Sequence, residues 1–263
     1  MIRTVPPAVL QAGTSEVRKV TSLRMNRTMA GALVLVGAIV FTVAGLTVET
    51  AIASDGISHT MAAGSALLAV GATLAAAIVL AGIFGAVGSG AEYRHHTLPV
   101  SALLTPDRNL LFGSKLAVTA AFAVGTVLLT EVLGLGAFLL FGSERLQLHA
   151  WFFGLLGGVL LSALCWALLG AALGYLLRSP VRAVAVIVGW TVLEPLVWVV
   201  SQGVGIPGFA TVLPVSATLA TATAGAFADA AFIAHTPAAI VVLLLWTVGT
   251  VTAAWWFLRV RDL

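Results

Sequence analysis

Six long apolar runs constrain the fold of this chain more than any other feature of its sequence. A helix needs about 20 residues to cross the hydrocarbon core of a bilayer, and each run is close to or above that length. The runs are continuously apolar, whereas the strands of a membrane barrel alternate over about ten residues. We therefore predict an all-α integral membrane protein whose six transmembrane helices cover residues 29–48, 61–87, 115–141, 151–177, 183–200 and 238–258.

Composition excludes an ordinary soluble domain. Of the 263 residues, 60% are hydrophobic and only 9% are charged, whereas about a quarter are charged in soluble domains. The first run is longer than a signal-peptide core, so we expect it to be retained as a span. The single cysteine, Cys165, lies inside a span, which excludes a disulfide or a cysteine metal site within one chain. We expect no metal site and no nucleic-acid partner.

Basic residues in the connections predict the orientation, because Lys and Arg resist translocation. With six spans, Arg145 alone falls on one side of the membrane. The pattern predicts a multi-pass protein of the cell (plasma) membrane with both termini in the cytoplasm, where basic side chains meet anionic lipid head groups. The other side carries Arg3, Arg18, Lys19, Arg24, Arg27, Arg94, Arg108, Lys115, Arg178, Arg182, Arg259 and Arg261.

Residues 1–28 precede the transmembrane domain, residues 29–263, and carry an amphipathic pattern. Leu10, Gly13, Val17 and Val20 fall on one face of a helix, and polar residues occupy the rest. This pattern favours a short elbow helix in the cytoplasmic interface. A mobile tail with chance periodicity is the alternative.

A charged island, Glu92 to Thr97, interrupts the apolar chain between the second and third runs. It begins the cytoplasmic loop 89–114, which we expect to dock a soluble partner or to serve as a structural connection. Apolar positions after the island predict a short helix that stops before Pro106. Thr105 is expected to cap the next helix, with Asp107 in its first turn, and Lys115 is expected to reach toward water as that helix enters the bilayer.

Residues 201–237 form the other unusual segment, because the positive residues predict that it is external and yet it contains no Lys or Arg. Solvated loops are seldom so apolar, so we expect re-entrant or interfacial helices that dip among the spans. A seventh span near 215–233 is the alternative, but it would place Arg259 and Arg261 outside.

Two acids lie inside predicted spans. Glu131 falls toward the outer leaflet, and Glu194 lies near the middle of the fifth span beside Pro195, which should kink the helix. Acids at such depth are expensive and often line a pathway, but they can also lock helices together. The pairs Gly154/Gly158 and Gly170/Gly174 have the spacing of close helix contacts. The sequence contains no phosphate-binding loop of the form G-x-x-x-x-G-K-[ST].

The charged island and the residues that follow it form a loop motif, which resembles the cytoplasmic loop of type-2 ATP-binding-cassette (ABC) transporter permeases. That loop usually reads E-Y-R-x-G-T, then a short segment, then T-P-x-R and a Lys that enters the third span. This chain departs from the pattern at His96, where the family usually has Gly. The matching residues are Glu92, Tyr93, Arg94, Thr97, Leu103, Leu104, Thr105, Pro106, Arg108 and Lys115.

The resemblance implies a permease subunit with no ATPase site and no cofactor of its own. Such permeases form a dimer with an identical or paralogous copy and dock on two ATP-binding subunits, which hold ATP and Mg. The implied coupling residues are Glu92, Tyr93, Arg94, Thr97, Leu98, Leu103, Leu104, Thr105 and Arg108.

The apolar interior favours a hydrophobic or amphipathic substrate such as a drug, a lipid or an antimicrobial peptide. Two other hypotheses remain open. One is a proton-coupled secondary transporter that uses Glu194 and Glu131, and the other is a non-transporting membrane scaffold or immunity protein.

Overall fold

The computed structural model describes residues 6–52, 57–104, 107–141, 150–225, 230 and 232–260. Helices and one 3-10 turn account for all regular structure in these ranges, and no strand occurs among them. The helices are α1 Pro7–Ser22, α2 Arg24–Ile52, α3 Ile57–Arg94, α4 Leu98–Leu104, α5 Arg108–Phe141, α6 Ala150–Leu177, α7 Pro180–Gly203, α8 Pro214–Ala222 and α9 Thr236–Val260.

Six of these helices, α2, α3, α5, α6, α7 and α9, are long and apolar enough to cross a membrane. Each one contains a predicted apolar run and extends beyond it at one or both ends. The chain is therefore described as a multi-pass helical membrane protein.

Glycines allow α3 and α6 to pack closely at the centre of the bundle. A Cβ added at Gly170 would overlap the carbonyl oxygen of Gly82, and one added at Gly85 would overlap the carbonyl oxygen of Ala167. Gly158 has a different neighbour, because its Cβ position is filled by the carbonyl oxygen of Thr221 on α8. Gly170 and Gly174 thus lie against α3 and Gly158 against α8, while a Cβ at Gly154 would meet the side chain of Ala224, beyond the end of α8, at 3.3 Å.

The described part of the segment 201–237 contains the end of α7, two short helices, connecting turns and the start of α9. A 3-10 helix, Pro207–Val212, precedes α8, and α8 packs against α6 and α9. Since α8 has nine residues, it is too short to cross a bilayer, and the alternative of a seventh span is not supported.

The loop after α3 has the predicted short helix, α4, but a different cap on the next one. Asp107 precedes the first residue of α5, and its Oδ1 accepts a hydrogen bond of 2.9 Å from the backbone N–H of Asn109. Asp107 is therefore the capping residue, and the prediction of Thr105 as the cap is wrong. Thr105 itself lies outside the described residues.

Candidate functional site

The site begins on α1, which buries an acid among small and apolar residues. Ala12, Glu16 and Val20 are buried, and they recur every four residues along one face. Of the predicted apolar face, Val20 is buried, whereas Leu10 and Val17 are about half exposed. The helix is present as predicted, but it attaches to the bundle through the face that carries Glu16.

Four charged side chains from three helices meet at this end of the bundle. Nζ of Lys115 on α5 lies 2.7 Å from Oε1 of Glu92 on α3 and 3.0 Å from Oε2 of Glu16 on α1. Nζ of Lys19 lies 2.6 Å from Oε1 of Glu16 and 3.2 Å from Oε1 of Glu92. We call Glu16, Lys19, Glu92 and Lys115 the charge network, and the part of the bundle around it the charged end.

The charge network also reaches α4. Nζ of Lys19 donates a hydrogen bond of 3.1 Å to Oγ of Ser101. Two carboxylates face two ammonium groups, so the formal charges cancel within the network. Its ion pairs and this hydrogen bond join α1, the end of α3, α4 and the start of α5 into one connected unit.

Burial makes the pairing obligatory for three of the four residues. The side chains of Glu16, Glu92 and Lys115 are between 5% and 8% exposed, whereas that of Lys19 is 38% exposed. Removing one partner of a buried ion pair leaves an uncompensated charge, which is strongly destabilising. We expected Lys115 to reach water, but the two glutamates hold it inside the protein.

Each α1 member of the network has a pKa set by its partners. Burial raises the pKa of Glu16, but the ammonium groups of Lys115 and Lys19 outweigh burial, and the pKa lies below its ordinary value. Burial lowers the pKa of Lys19, but hydrogen bonds and attraction to Glu16 and Glu92 outweigh it, and the pKa is raised. Both groups are therefore charged at neutral pH.

Part of the loop motif, from Glu92 to Thr97, forms the cap at the end of α3. The backbone N–H of Thr97 donates to the carbonyl oxygen of Glu92 at 3.0 Å, and that of His96 donates to Tyr93 at 3.3 Å. This is the hydrogen-bond pattern of a Schellman cap, in which one residue adopts a left-handed conformation. His96 is that residue, with φ of 53°. It occupies the motif position at which type-2 permeases usually have Gly.

Tyr93 packs inward against α6. Its ring meets the ring of Tyr175 edge to face, with centroids 6.1 Å apart, and the guanidinium of Arg178 lies 5.6 Å from its centroid. Tyr175 also contacts Phe112 of α5 edge to face at 5.2 Å. The Tyr93 ring therefore links the loop to α6 and to the turn between α6 and α7.

Arg108 caps another helix of the same chain. Its Nη1 donates to the carbonyl oxygens of Leu258 and Arg259, at 2.9 and 3.1 Å, and so satisfies the carboxyl end of α9. The neighbouring Asn109 accepts a hydrogen bond of 3.0 Å from the indole of Trp255. These contacts attach the end of α9 to the start of α5.

The implied coupling residues thus separate into internal and exposed groups. Glu92 and Leu98 are buried, and Arg108 binds α9. Arg94 and Thr97 are exposed, and Leu103 is 81% exposed. The backbone of Leu104 belongs to α4, and nothing further is described for it.

Glu194 has four hydrogen-bond donors. Its Oε2 accepts from the indole of Trp190 at 2.6 Å and from the backbone N–H of Val215 at 2.9 Å. Its Oε1 accepts from the indole of Trp198 at 3.3 Å and from the backbone N–H of Ser216 at 2.7 Å. Four donors match the acceptor sites of an ionised carboxylate. Glu194 therefore fixes the first turn of α8 to α7.

Pro195 and Glu131 are the two other residues singled out inside these spans, and their surroundings differ from those of Glu194. α7 runs through Pro195, which is partly exposed beside Glu194. Glu131 is 2% exposed on α5, and its Oε1 has no hydrogen-bond partner among the described residues. The two acids are therefore in contrasting environments, one fully satisfied and the other not.

The sequence did not reveal Glu16, Lys19 or Ser101 as members of the site. Glu16 lies at the edge of the predicted apolar face of α1, one helical turn before Val20. A single acid at helical spacing from Ala12 and Val20, followed three residues later by Lys19, was the available local signal. Nothing local indicates Lys115 as its partner.

No family model, no curated protein and no solved structure matches this chain.

Proposed function

We propose that this chain is the permease subunit of an ATP-driven ABC exporter and that separate ATP-binding subunits supply its energy. Two copies of the ATPase, which hold ATP and Mg, would dock at the charged end. A second permease, identical or paralogous, would complete the pathway. In this arrangement the charged end faces the cytosol of a cell membrane, both termini are cytoplasmic, and 201–237 is an external re-entrant segment.

The observation that carries the proposal is the connection of α4 to the spanning helices through the charge network. A force applied to a loop moves a transmembrane helix only if the loop is firmly attached to it. Ser101 binds Lys19, and Lys19 binds Glu92 at the end of α3. Glu92 in turn binds Lys115 at the start of α5. Displacement of α4 is thereby transmitted to two spans and to α1.

The exposed residues of the loop supply the docking surface. Arg94 and Leu103 are exposed, and Leu103 is an apolar side chain with 81% of its surface free. An exposed apolar residue and an exposed basic residue on the same loop suit a protein interface, because burial of the apolar side chain favours association. We assign direct contact with the ATPase to Arg94, Thr97 and Leu103, and a positioning role to Glu92.

The substrate proposed is hydrophobic or amphipathic. Hydrophobic cores dominate the bundle interior, and charged side chains that are buried among the described residues are few and lie mostly in the charge network. Such an interior favours a drug, a lipid or an antimicrobial peptide over a small ion.

Co-purification with a separately encoded ATPase tests the proposal. The double variant Arg94→Ala/Leu103→Ala should lose the ATPase while the permease itself remains folded. The matched control is Arg182→Ala/Leu10→Ala, which removes an exposed Arg and an exposed Leu outside the loop. Retention of the ATPase by the loop variant, or equal loss in both variants, would refute docking at this surface.

A proton-coupled transporter remains the second candidate because of Glu131. A buried carboxyl group without a partner on Oε1 is suited to bind and release a proton. Glu194 is less suited, since all four groups around it are donors and none accepts a proton. This candidate predicts transport in vesicles driven by a pH gradient without ATP and abolished by Glu131→Gln. Absence of any flux would instead favour a scaffold or immunity protein.

A further inference from the structure

A cavity of about 200 Å³ lies within the bundle, away from the charge network. Its walls come from α3, α6, α7 and α8. Leu74, Ile78, Val159 and Trp166 form its buried floor. The helices that contribute these residues are long and apolar enough to span a membrane, so the cavity lies at the depth of the lipid chains.

The cavity offers no free hydrogen-bonding side chain. The indole of Trp166 donates to Oγ1 of Thr218 at 2.7 Å, and Thr218 donates to the carbonyl oxygen of Pro214 at 2.6 Å. Thr191 and Thr223 donate to carbonyl oxygens of their own helices. Every polar side chain of the described lining is thus satisfied, and an occupant must be apolar.

The opening of the cavity faces sideways out of the subunit. Gly71 and Ala75 of α3 line it and are exposed, and a Cβ at Gly71 would meet nothing within 4 Å. In a membrane, the medium beside this face is hydrocarbon. About 150 Å³ suffices to hold a benzene molecule in an apolar protein cavity, so this one accommodates a segment of hydrocarbon chain.

The wall that α8 forms is held in place rather than loosely packed. Glu194 fixes the first turn of α8 through the backbone N–H groups of Val215 and Ser216. The Trp166–Thr218 hydrogen bond fixes α8 to α6. A void with fixed walls cannot collapse, and left empty it would forfeit dispersion contacts.

We propose that this cavity binds an acyl chain of a bilayer lipid, which enters sideways between α3 and α8 past Gly71. The site is independent of the proposed transport function, since binding needs neither ATP nor a partner. Lipid head groups remain at the membrane surface, and the wall contributes only van der Waals contact.

Photolabelling of the isolated subunit in lipid nanodiscs tests the proposal. The probe is a phosphatidylcholine with a diazirine near the end of one acyl chain, and adducts are mapped by mass spectrometry. Leu74, Ile78 and Val159 are at most 4% exposed, so lipid around the protein cannot reach them from outside. Adducts on these residues are the expected result.

Variants at two glycines give the control. Gly71→Leu should block the opening and abolish adducts on the three floor residues. Gly125→Leu is the matched control, because Gly125 is also an exposed helical glycine with open space at its Cβ but does not line the cavity. Labelling of Leu128, a side chain 45% exposed on α5, should persist in both variants and report a folded protein.

Four results would overturn the assignment. Adducts restricted to exposed side chains would show that no acyl chain enters the cavity. Coverage of the opening by a second copy of the protein would show the same. Floor labelling that persists in Gly71→Leu would mean entry by another route. Labelling by a single-chain fatty-acid probe, but not by the phospholipid, would exclude a bilayer lipid. None of these results bears on ATPase docking at the charged end.

Discussion

Lys115 and Glu16 lie 99 positions apart in the chain, yet Nζ of one lies 3.0 Å from Oε2 of the other, and both side chains are almost fully buried. This contact fixes α1 to the third spanning helix, α5. α1, which precedes the first span, is thereby joined to the helices that carry the loop. The arrangement makes Lys115 the residue whose removal is expected to be most costly at the charged end.

Lys115→Met is expected to lower the free energy of unfolding by about 3 kcal/mol, because two buried carboxylates lose a buried partner. Lys19→Met removes a side chain that is 38% exposed and should cost about 1 kcal/mol or less. Denaturant titration in detergent measures both. Equal losses in the two variants would mean that burial of Lys115 does not control the stability of the network.

The pH dependence of stability follows from the two shifted groups of α1. The pKa of Glu16 is lowered in the folded protein, so its contribution is present above about its ordinary value of 4.5 and is lost as pH falls through the lower, folded-state pKa. The pKa of Lys19 is raised, so its contribution is present below 10.5 and is lost as pH rises through the higher, folded-state pKa.

Stability of the α1 attachment should therefore be greatest and flat between these two values. Melting temperature as a function of pH measures this stability, and Glu16→Gln should make the fall in melting temperature at acid pH less steep. A fall of the same slope in Glu16→Gln and in the unmodified protein would contradict the role assigned to Glu16.

His96→Gly is expected to stabilise the protein by about 0.5 kcal/mol. Relief of the left-handed conformation, which costs a non-glycine residue roughly 1–2 kcal/mol, exceeds the added flexibility of the unfolded chain. His95→Gly is the matched control, because His95 is also exposed but does not have a positive φ. The control should be destabilising, and the opposite order of the two variants would refute a strained cap at residue 96.

Glu194→Gln is expected to destabilise the protein by about 2 kcal/mol, since its amide group must face donors where an oxygen accepted hydrogen bonds. Hydrogen exchange at the backbone N–H groups of Val215 and Ser216 should become faster. Glu131→Gln, which alters an acid with an unpartnered oxygen, should leave both the stability of the protein and the rate of this hydrogen exchange nearly unchanged. A larger effect of Glu131→Gln would reverse the roles assigned to the two acids.

Local patterns were sufficient to predict the helices but not the partners of the charged residues. Apolar runs identified the six long helices because the length of a span is fixed by the thickness of the bilayer. Pro106 and the apolar positions before it predicted α4. The cap of α5 was assigned to Thr105, although Asp107, two residues later, precedes the observed first residue.

The long-range contacts could not be predicted in the same way. Glu194 was recognised as a buried acid, but its role depends on backbone groups 21 and 22 residues downstream, whose position is set by the packing of α8. Lys115 was expected to reach water, since no local feature places Glu16 beside it. Such pairings are properties of the packed bundle and have no periodic signal in the sequence.

Cross-linking from Leu103 tests the central claim, that energy enters through the loop at the charged end. Cys165 is the single native cysteine and is buried, so Leu103→Cys in a Cys165→Ala background gives one exposed thiol. The control is Phe209→Cys on the 3-10 helix at the opposite end, where the side chain is 53% exposed. With the proposed ATPase co-expressed in intact membranes, a short bifunctional maleimide should join residue 103, but not residue 209, to that subunit. Cross-linking from residue 209, or modification of residue 103 by an impermeant reagent added outside intact cells, would contradict the claim.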